Sequence, residues 1–361
     1  MTHQLRNLDN VSIDLSPRIN LFYGDNGSGK TSILEAISLL GLGRSFRSHK
    51  SRSLVNHDST ELTVFAEIFS INDPVVTTPV GIQKNRAGKS VIKMSGEPVH
   101  SAAVLAKHLP LQVINASSFL LVEGPPSQRR QFLDWMVFHV KPEFSNLWKA
   151  LQKILKQRNS LLRRDKIEYS DLHPWDIEFT RLAIAIDSMR IEVFDAFLIE
   201  FEKLNEAFSE SQLSIEMEYI KGWDSECQFI DCLRASFERD KRDGYTHHGP
   251  QRADIKIRAK KKPASDVLSR GQEKSLICAM HIAQAYLYQR QTQQSCVFLV
   301  DDLLAELDEL NSKKLAKWLT ALEGQVFVTG VTKAGMCKAW EKEDTEIATF
   351  HVKHGSVEPI I

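Results

Sequence analysis

The chain has no apolar run near the roughly 20 residues needed to cross a bilayer, and its first residues carry neither the basic nor the apolar stretch of a secretion signal. No membrane partner and a cytoplasmic address are therefore expected. Cysteine pairing signals are missing as well. Cys227, Cys232, Cys278, Cys296 and Cys337 include no C-x-x-C pair and have no histidine at metal-ligand spacing, so they read as reduced, mostly buried thiols. There is no net charge, since 46 basic and 46 acidic side chains cancel, so any nucleic-acid binding must come from a local patch. The chain also lacks a heptad pattern sustained over many repeats, which excludes a coiled-coil rod. What is left, 42% hydrophobic and 25% charged residues over 361 positions, is an ordinary globular composition, long enough for two or three domains and a large core.

Gly24-Asp25-Asn26-Gly27-Ser28-Gly29-Lys30-Thr31 fits G-x-x-x-x-G-K-[ST], the spacing of a phosphate-binding loop. Glycines let the backbone turn so that successive N–H groups converge on an anion, Lys30 supplies a mobile positive charge, and the Thr31 hydroxyl can reach a magnesium ion. A chance glycine-rich turn would not need its flanks. Here Ile19-Asn20-Leu21-Phe22-Tyr23 reads as a strand before the loop, and the run from Ser32 to Leu40 reads as a helix after it. ATP with Mg2+ is the expected cofactor. Gly24 to Ser32 are the candidate nucleotide-binding residues, with Lys30 also catalytic and Thr31 also a metal ligand.

Near the other end, Ser295-Cys296-Val297-Phe298-Leu299-Val300-Asp301-Asp302 has the form of a buried strand ending in two acids. Asp301 would hold magnesium, and Asp302 would orient or deprotonate the attacking water. A strand that merely ends in a polar turn would look similar, but Leu268-Ser269-Arg270-Gly271-Gln272-Glu273 precedes it and opens an apolar-periodic helix. That segment resembles the signature motif of ABC-type ATPases, making Ser269, Gly271 and Gln272 further nucleotide-binding candidates. Ala305-Glu306-Leu307-Asp308 follows as a candidate D-loop. The ABC resemblance implies that ATP is held between two heads of a two-fold homodimer.

Ser269 follows Lys30 by 239 positions, which is more than ABC transporter ATPases have and far less than the long coiled-coil members have, so a compact arm is expected between the motifs. Leu62 to Phe69 and Gly81 to Lys84 alternate like strands, and Val91 to Val99 reads as strand, turn and strand. Helical patterns run over Arg129 to Val140, Pro142 to about Lys166, and Trp175 to about Ser209. Leu182, Ile186, Met189, Val193, Phe197 and Phe201 mark one face of the last. Basic residues crowd at Arg44, Arg47, Lys50 and Arg52, at Arg158, Arg163, Arg164 and Lys166, and at Lys256, Arg258, Lys260, Lys261 and Lys262. No aromatics are interleaved for stacking, so such clusters are solvated surface or contacts to a nucleic-acid backbone.

Four segments unnecessary for binding ATP carry a closer resemblance. They are Gly43-Arg44-Ser45-Phe46-Arg47, Gly124-Pro125-Pro126-Ser127-Gln128-Arg129-Arg130-Gln131-Phe132-Leu133-Asp134-Trp135, Leu155-Lys156-Gln157-Arg158-Asn159 and Thr246-His247-His248-Gly249-Pro250-Gln251-Arg252-Ala253-Asp254. Through them the chain resembles, over nearly its whole length, the RecF family of bacterial recombination mediators, relatives of chromosome-maintenance ATPase heads. The resemblance implies ATP-dependent dimerisation on single-stranded, gapped or duplex DNA, weak DNA-stimulated ATP hydrolysis, and partners RecO and RecR. It also implies a role at single-stranded gaps, in replication restart and in the SOS response, and it makes the His247, His248 and Asp254 segment structural rather than metal-binding.

Three departures accompany that match. Only Met1 to Gln4 precede Leu5-Arg6-Asn7, where the family has a full strand, so a shortened first strand is expected. Asn115-Ala116-Ser117-Ser118-Phe119 stands where the family carries a Pro-Glu stretch, and it lacks the carboxylate. Phe327-Val328-Thr329-Gly330-Val331-Thr332 has no switch histidine, which, with the compact arm, argues against a transport ATPase. Asp302 and the complete loop argue against a purely structural head. The expected fold is α/β, an ABC-type ATPase head with mixed sheets plus a compact helical arm, divided as 1–127, 128–240 and 241–361.

Overall fold

A computed structural model describes residues 1–48, 50–70, 73–208, 214–302 and 307–360. The chain forms two compact units, one of residues 1–118 with 293–361 and the other of 119–292. The three-part division expected above separates 241–292 from the helical arm, whereas in the structure that stretch clusters with the helices. Two pairings within the second unit bring it there: the strand Asp254–Ala259 adds to Ile215–Ile220, and the helix Arg270–Thr292 packs on the helix Tyr169–Phe208.

The first unit holds two six-stranded sheets. One has the order Ser356–Ile360, Ile347–Lys353, Ile19–Tyr23, Val326–Gly330, Val297–Val300, Leu111–Ile114, and every pairing except that of the first two strands is parallel. Its inner strands are continuous apolar runs because both faces are covered, and all five residues of Val326–Gly330 are buried. The other sheet is antiparallel, ordered Leu8–Val11, Thr2–Leu5, Glu61–Ser70, Asp73–Asn85, Ser90–Met94, Glu97–Pro98. The turn expected within Val91–Val99 falls at Ser95-Gly96, with φ of 50° and 84°, the left-handed pair that a two-residue hairpin requires. The expected short first strand is four residues, Thr2–Leu5, and it pairs on both sides.

The helix Lys30–Leu42 lies in the core that these sheets share. Ile33, Leu34 and Leu39 join one cluster with Leu62, Val64, Val80 and Ile82 of the antiparallel sheet and Phe22, Leu299, Phe327 and Phe350 of the parallel one. Burying a Leu or Ile side chain contributes about 1.5–3 kcal/mol, so this helix is anchored by packing on two faces rather than by propensity.

In the second unit, the helices Pro126–Val140, Phe144–Leu162, Tyr169–Phe208 and Arg270–Thr292 accompany a three-stranded antiparallel sheet, Lys262–Pro263, Asp254–Ala259, Ile215–Ile220. Leu182, Ile186, Val193, Phe197 and Phe201 are buried as their spacing predicts, and Met189 is half-buried. The long helix starts before Trp175, because Asp171 accepts a hydrogen bond from the Glu168 N–H at 3.0 Å and so caps a turn that Pro174 then interrupts by lacking a donor. No helix among the described residues is long and apolar enough to cross a membrane.

Candidate functional site

In the parallel sheet the strands Ile19–Tyr23, Val326–Gly330, Val297–Val300 and Leu111–Ile114 end together, and ligands of such sheets bind beyond those carboxyl ends. Residues 24–29 form the loop after the first of these strands. Gly29 sits at φ 116°, and a Cβ on Gly24 would overlap the Val352 carbonyl oxygen, so both need glycine. Lys30 is buried and donates from Nζ to the carbonyls of Gly24 at 2.8 Å and Asp25 at 3.0 Å. The ammonium is thus folded over the loop, which is where phosphate oxygens are held in loops of this spacing.

The acid pair lies beside it. Thr31 Oγ1 donates to Asp301 Oδ1 at 2.9 Å, and Thr329 Oγ1 donates to the same oxygen at 2.8 Å. Thr329 also accepts from the Asp302 N–H at 2.9 Å, so one buried hydroxyl positions both acids. Burial pushes the Asp301 carboxyl above its ordinary range, opposed by the two threonine hydrogen bonds, while the neighbouring charge of Asp302 raises it further. Asp302 itself sits at φ 54°, and its Oδ1 is buried with no hydrogen-bond partner among the described residues. An orphaned carboxylate oxygen and an orphaned Ser28 Oγ beside a lysine that bonds only to loop carbonyls fit a site completed by a hydrated cation and phosphates. Thr31 and Asp301 are brought together as expected. Thr329 was foreseen only as part of a stretch without histidine.

The loop is braced from two distant segments. Asn7 donates from Nδ2 to the Gly27 carbonyl at 3.0 Å and accepts from Ser32 Oγ at 3.0 Å, and the Gly355 N–H donates to the Ser28 carbonyl at 2.9 Å. Arg6 turns away to a bidentate pair with the buried Glu35 at 2.9 and 2.8 Å. Arg6 therefore orders the loop's helix, and Asn7 is the member of that pair that touches the loop. On the far strand, Asn115 Oδ1 accepts from the Ser117 N–H at 2.9 Å and from its hydroxyl at 2.7 Å, closing a short 3-10 turn in place of a projecting carboxylate. Within the candidate D-loop, Ala305 and Glu306 lie outside the described residues, and Asp308 caps the helix Glu309–Ala321 by accepting from Asn311 N–H at 2.8 Å.

In the second unit, Ser269 and Gln272 form a capping box at the start of the helix Arg270–Thr292. Gln272 Oε1 accepts from the Ser269 N–H at 2.9 Å, and Ser269 Oγ accepts from the Gln272 N–H at 3.4 Å. Ser269 and Gly271 are exposed, and among the described residues nothing beyond the helix's own backbone and the neighbouring residues lies within 4 Å of where a Gly271 Cβ would stand. A helical glycine costs about 1 kcal/mol relative to alanine, and no packing among the described residues requires it here.

The segments that carried the closer resemblance are mostly internal braces of this unit. Arg129 makes a bidentate pair with Asp254 at 2.8 and 3.0 Å, and Arg190 makes one with Asp134 at 2.9 and 3.0 Å. Arg158 is fully buried between Asp176 and Asp240, both at 2.7 Å, and also donates to Thr246 at 2.8 Å. Arg158 was counted in a basic surface cluster, but its burial removes it from any nucleic-acid face. His247 donates from Nδ1 to Asp240 Oδ1 at 2.7 Å, a structural contact.

A phosphate loop on a parallel sheet, an acid pair at the end of the next strand but one and an antiparallel sheet behind the loop's helix define a P-loop ATPase head. The family model described as "RecF/RecN/SMC N terminal domain" matches residues 1–358, and the chain belongs to that family. Among curated relatives, DNA replication and repair protein RecF of Cellvibrio japonicus is 46% identical over 356 residues, covering 98% of this chain and 97% of that one. The protein of the same name from Saccharophagus degradans is 46% identical over 357 residues, covering 98% and 96%. A solved structure of the recombination mediator protein RecF with ATP, in the RecFOR pathway, superposes with TM-score 0.86 at 24% identity, covering 100% of this chain and 96% of that one. A Smc head bound to the C-winged helix domain of ScpA gives TM-score 0.59 at 15% identity over 99% and 95%. At those identities the two structures speak for the fold.

Proposed function

We propose that this chain is an ATP-switched, DNA-binding recombination mediator of the RecF type, acting at single-stranded gaps in DNA repair, replication restart and SOS induction. The observation that carries the reading is the meeting of Lys30, Thr31, Asp301 and the unpartnered Asp302 oxygen at the end of one parallel sheet. Its setting is a chain that matches proteins named RecF along nearly its whole length. ATP with magnesium supplies the phosphate charge that the loop holds and, on hydrolysis, the release of that charge. Lys30 exchanges carbonyl partners for phosphate oxygens, Thr31 and Asp301 hold the cation, and Asp302 orients the attacking water or takes its proton. With no switch histidine and no carboxylate at 115–119, turnover is slow, and ATP serves as a timer.

The capping box of Ser269 and Gln272, with Ser269 and Gly271 exposed, supports a homodimer in which this helix N-terminus meets the nucleotide of a second copy, its dipole favouring an anion. Nucleotide that binds the closed pair better than separate heads shifts the population toward the pair, and hydrolysis removes the bias. Exposed Arg44, Arg47 and Arg52, and Lys256, Lys260, Lys261 and Lys262 on another segment, suit contacts to the phosphate backbone of single-stranded, gapped or duplex DNA. RecO and RecR are the protein partners on this reading. Fluorescence anisotropy with labelled single-stranded, duplex and gapped DNA, with and without ATP and magnesium, tests it. Tighter binding to at least one DNA with ATP and magnesium is expected, and binding indifferent to nucleotide on all three overturns the reading.

A further inference from the structure

Two thiols that no sequence spacing marked as a pair lie against each other in the helical unit. Cys227 ends the segment before the helix Phe229–Ala235, Cys232 lies on that helix, and their sulfurs are 2.7 Å apart, the Cys232 thiol donating to the Cys227 sulfur. Cys232 is buried and Cys227 half-buried, so a small reagent reaches one sulfur while the other waits behind it. The remaining thiols offer nothing comparable. Cys278 and Cys296 are buried, with burial pushing both thiols up to about 12, and Cys337 stands without a second cysteine. Among the described residues no group of three histidine, cysteine or acidic side chains gathers to hold a metal, which leaves two-thiol chemistry as what this pair can do.

We propose that Cys227 and Cys232 form a reversible redox-modification site, oxidised by small disulfides of the glutathione class. The Cys227 thiolate attacks one sulfur of the small disulfide, a Cys227–glutathione bond forms, and one glutathione leaves as thiol. The Cys232 thiolate then attacks the Cys227 sulfur and expels the second glutathione, so two protein thiols and one small disulfide become one internal disulfide and two small thiols. Burial pushes the Cys232 thiol up to about 11, with the hydrogen bond and charge of Cys227 adding to it. Both Cys227 contributions vanish once that sulfur is in the mixed disulfide, which favours the second step. The closed bond fixes the segment that carries Trp223 onto Phe229, with ring centroids 4.6 Å apart, and whose Gly222 carbonyl accepts from the Gly249 N–H at 3.1 Å.

Both cysteines fall in one tryptic peptide, Gly222 to Arg234. The full chain is incubated with oxidised glutathione, quenched in acid, denatured, alkylated with iodoacetamide and digested, and that peptide is weighed. The expected product is unalkylated and lighter by two hydrogens, about 2 Da, and it is restored by dithiothreitol. In Cys232→Ser, glutathione stays on Cys227, and in Cys227→Ser, Cys232 is alkylated only. A wild-type peptide that carries two alkyl groups, or a lasting glutathione adduct on Cys227, overturns the proposal without reference to either variant.

Discussion

Replacing Thr329 with valine removes the hydroxyl shared by the two acids at nearly constant shape. Thr329 is fully buried, so no water takes the hydroxyl's place without rearrangement. Two hydrogen bonds are lost, the donation to Asp301 Oδ1 at 2.8 Å and the acceptance from the Asp302 N–H at 2.9 Å. A buried N–H left unpaired costs about 1–3 kcal/mol, and the isosteric methyl adds no cavity. Urea denaturation is therefore expected to show a loss of about 1–3 kcal/mol without nucleotide, while Thr329→Ser retains most of the stability. The pH dependence also has a definite sign. Burial raises the Asp301 carboxyl above 3.8, so its contribution to stability is complete below 3.8 and is lost as pH rises through the raised value. Thr329 opposes that rise, so in the valine variant the carboxyl takes up its proton at a still higher pH. Magnesium needs the carboxylate, and magnesium-dependent nucleotide binding should fail at a higher pH in Thr329→Val than in wild type. Equal stability and superimposable pH profiles for the two proteins would refute the role given to this hydroxyl.

Other substitutions probe separate parts of the account. Arg158→Met strands two fully buried carboxylates, and thermal or urea unfolding should reveal a loss of about 3–5 kcal/mol. Lys30→Met should abolish nucleotide binding measured by calorimetry, with the fold intact by circular dichroism. Asp302→Asn should retain ATP binding but lengthen the lifetime of the ATP-bound assembly, as read by single-turnover hydrolysis. Ser269→Arg should leave nucleotide binding by the separate chain within about twofold while preventing assembly.

The phosphate loop and the strand ending at Asp301-Asp302 were legible because each is local: residue types a few positions apart fix the turn, and the apolar runs beside them fix the strands. What the sequence could not display is what long-range pairing brings to them. Thr329 meets the acid pair, and Asn7 and Gly355 meet the loop, from three separate segments, only because parallel strands end in register and a hairpin turn folds over Ser28. Arg158 was misplaced for a related reason, since a cation's neighbours in sequence say nothing of the two carboxylates waiting on other elements. The grouping of 241–292 with the helices has the same origin, a strand that pairs with Ile215–Ile220 and a helix that packs along Tyr169–Phe208. Pro174 hid the start of that long helix, whose first turn is held by Asp171 instead.

The central claim is that ATP controls assembly through a nucleotide shared between two copies. Light scattering on the wild-type chain and on Ser269→Arg, each with and without ATP and magnesium, tests it most directly. The wild type should move from about 41.0 kDa to twice that mass only when both are present, and the variant should remain at the lower mass. A variant that doubles its mass with ATP as readily as the wild type would contradict the shared-nucleotide arrangement, and a wild type whose mass ignores ATP would contradict the switch itself.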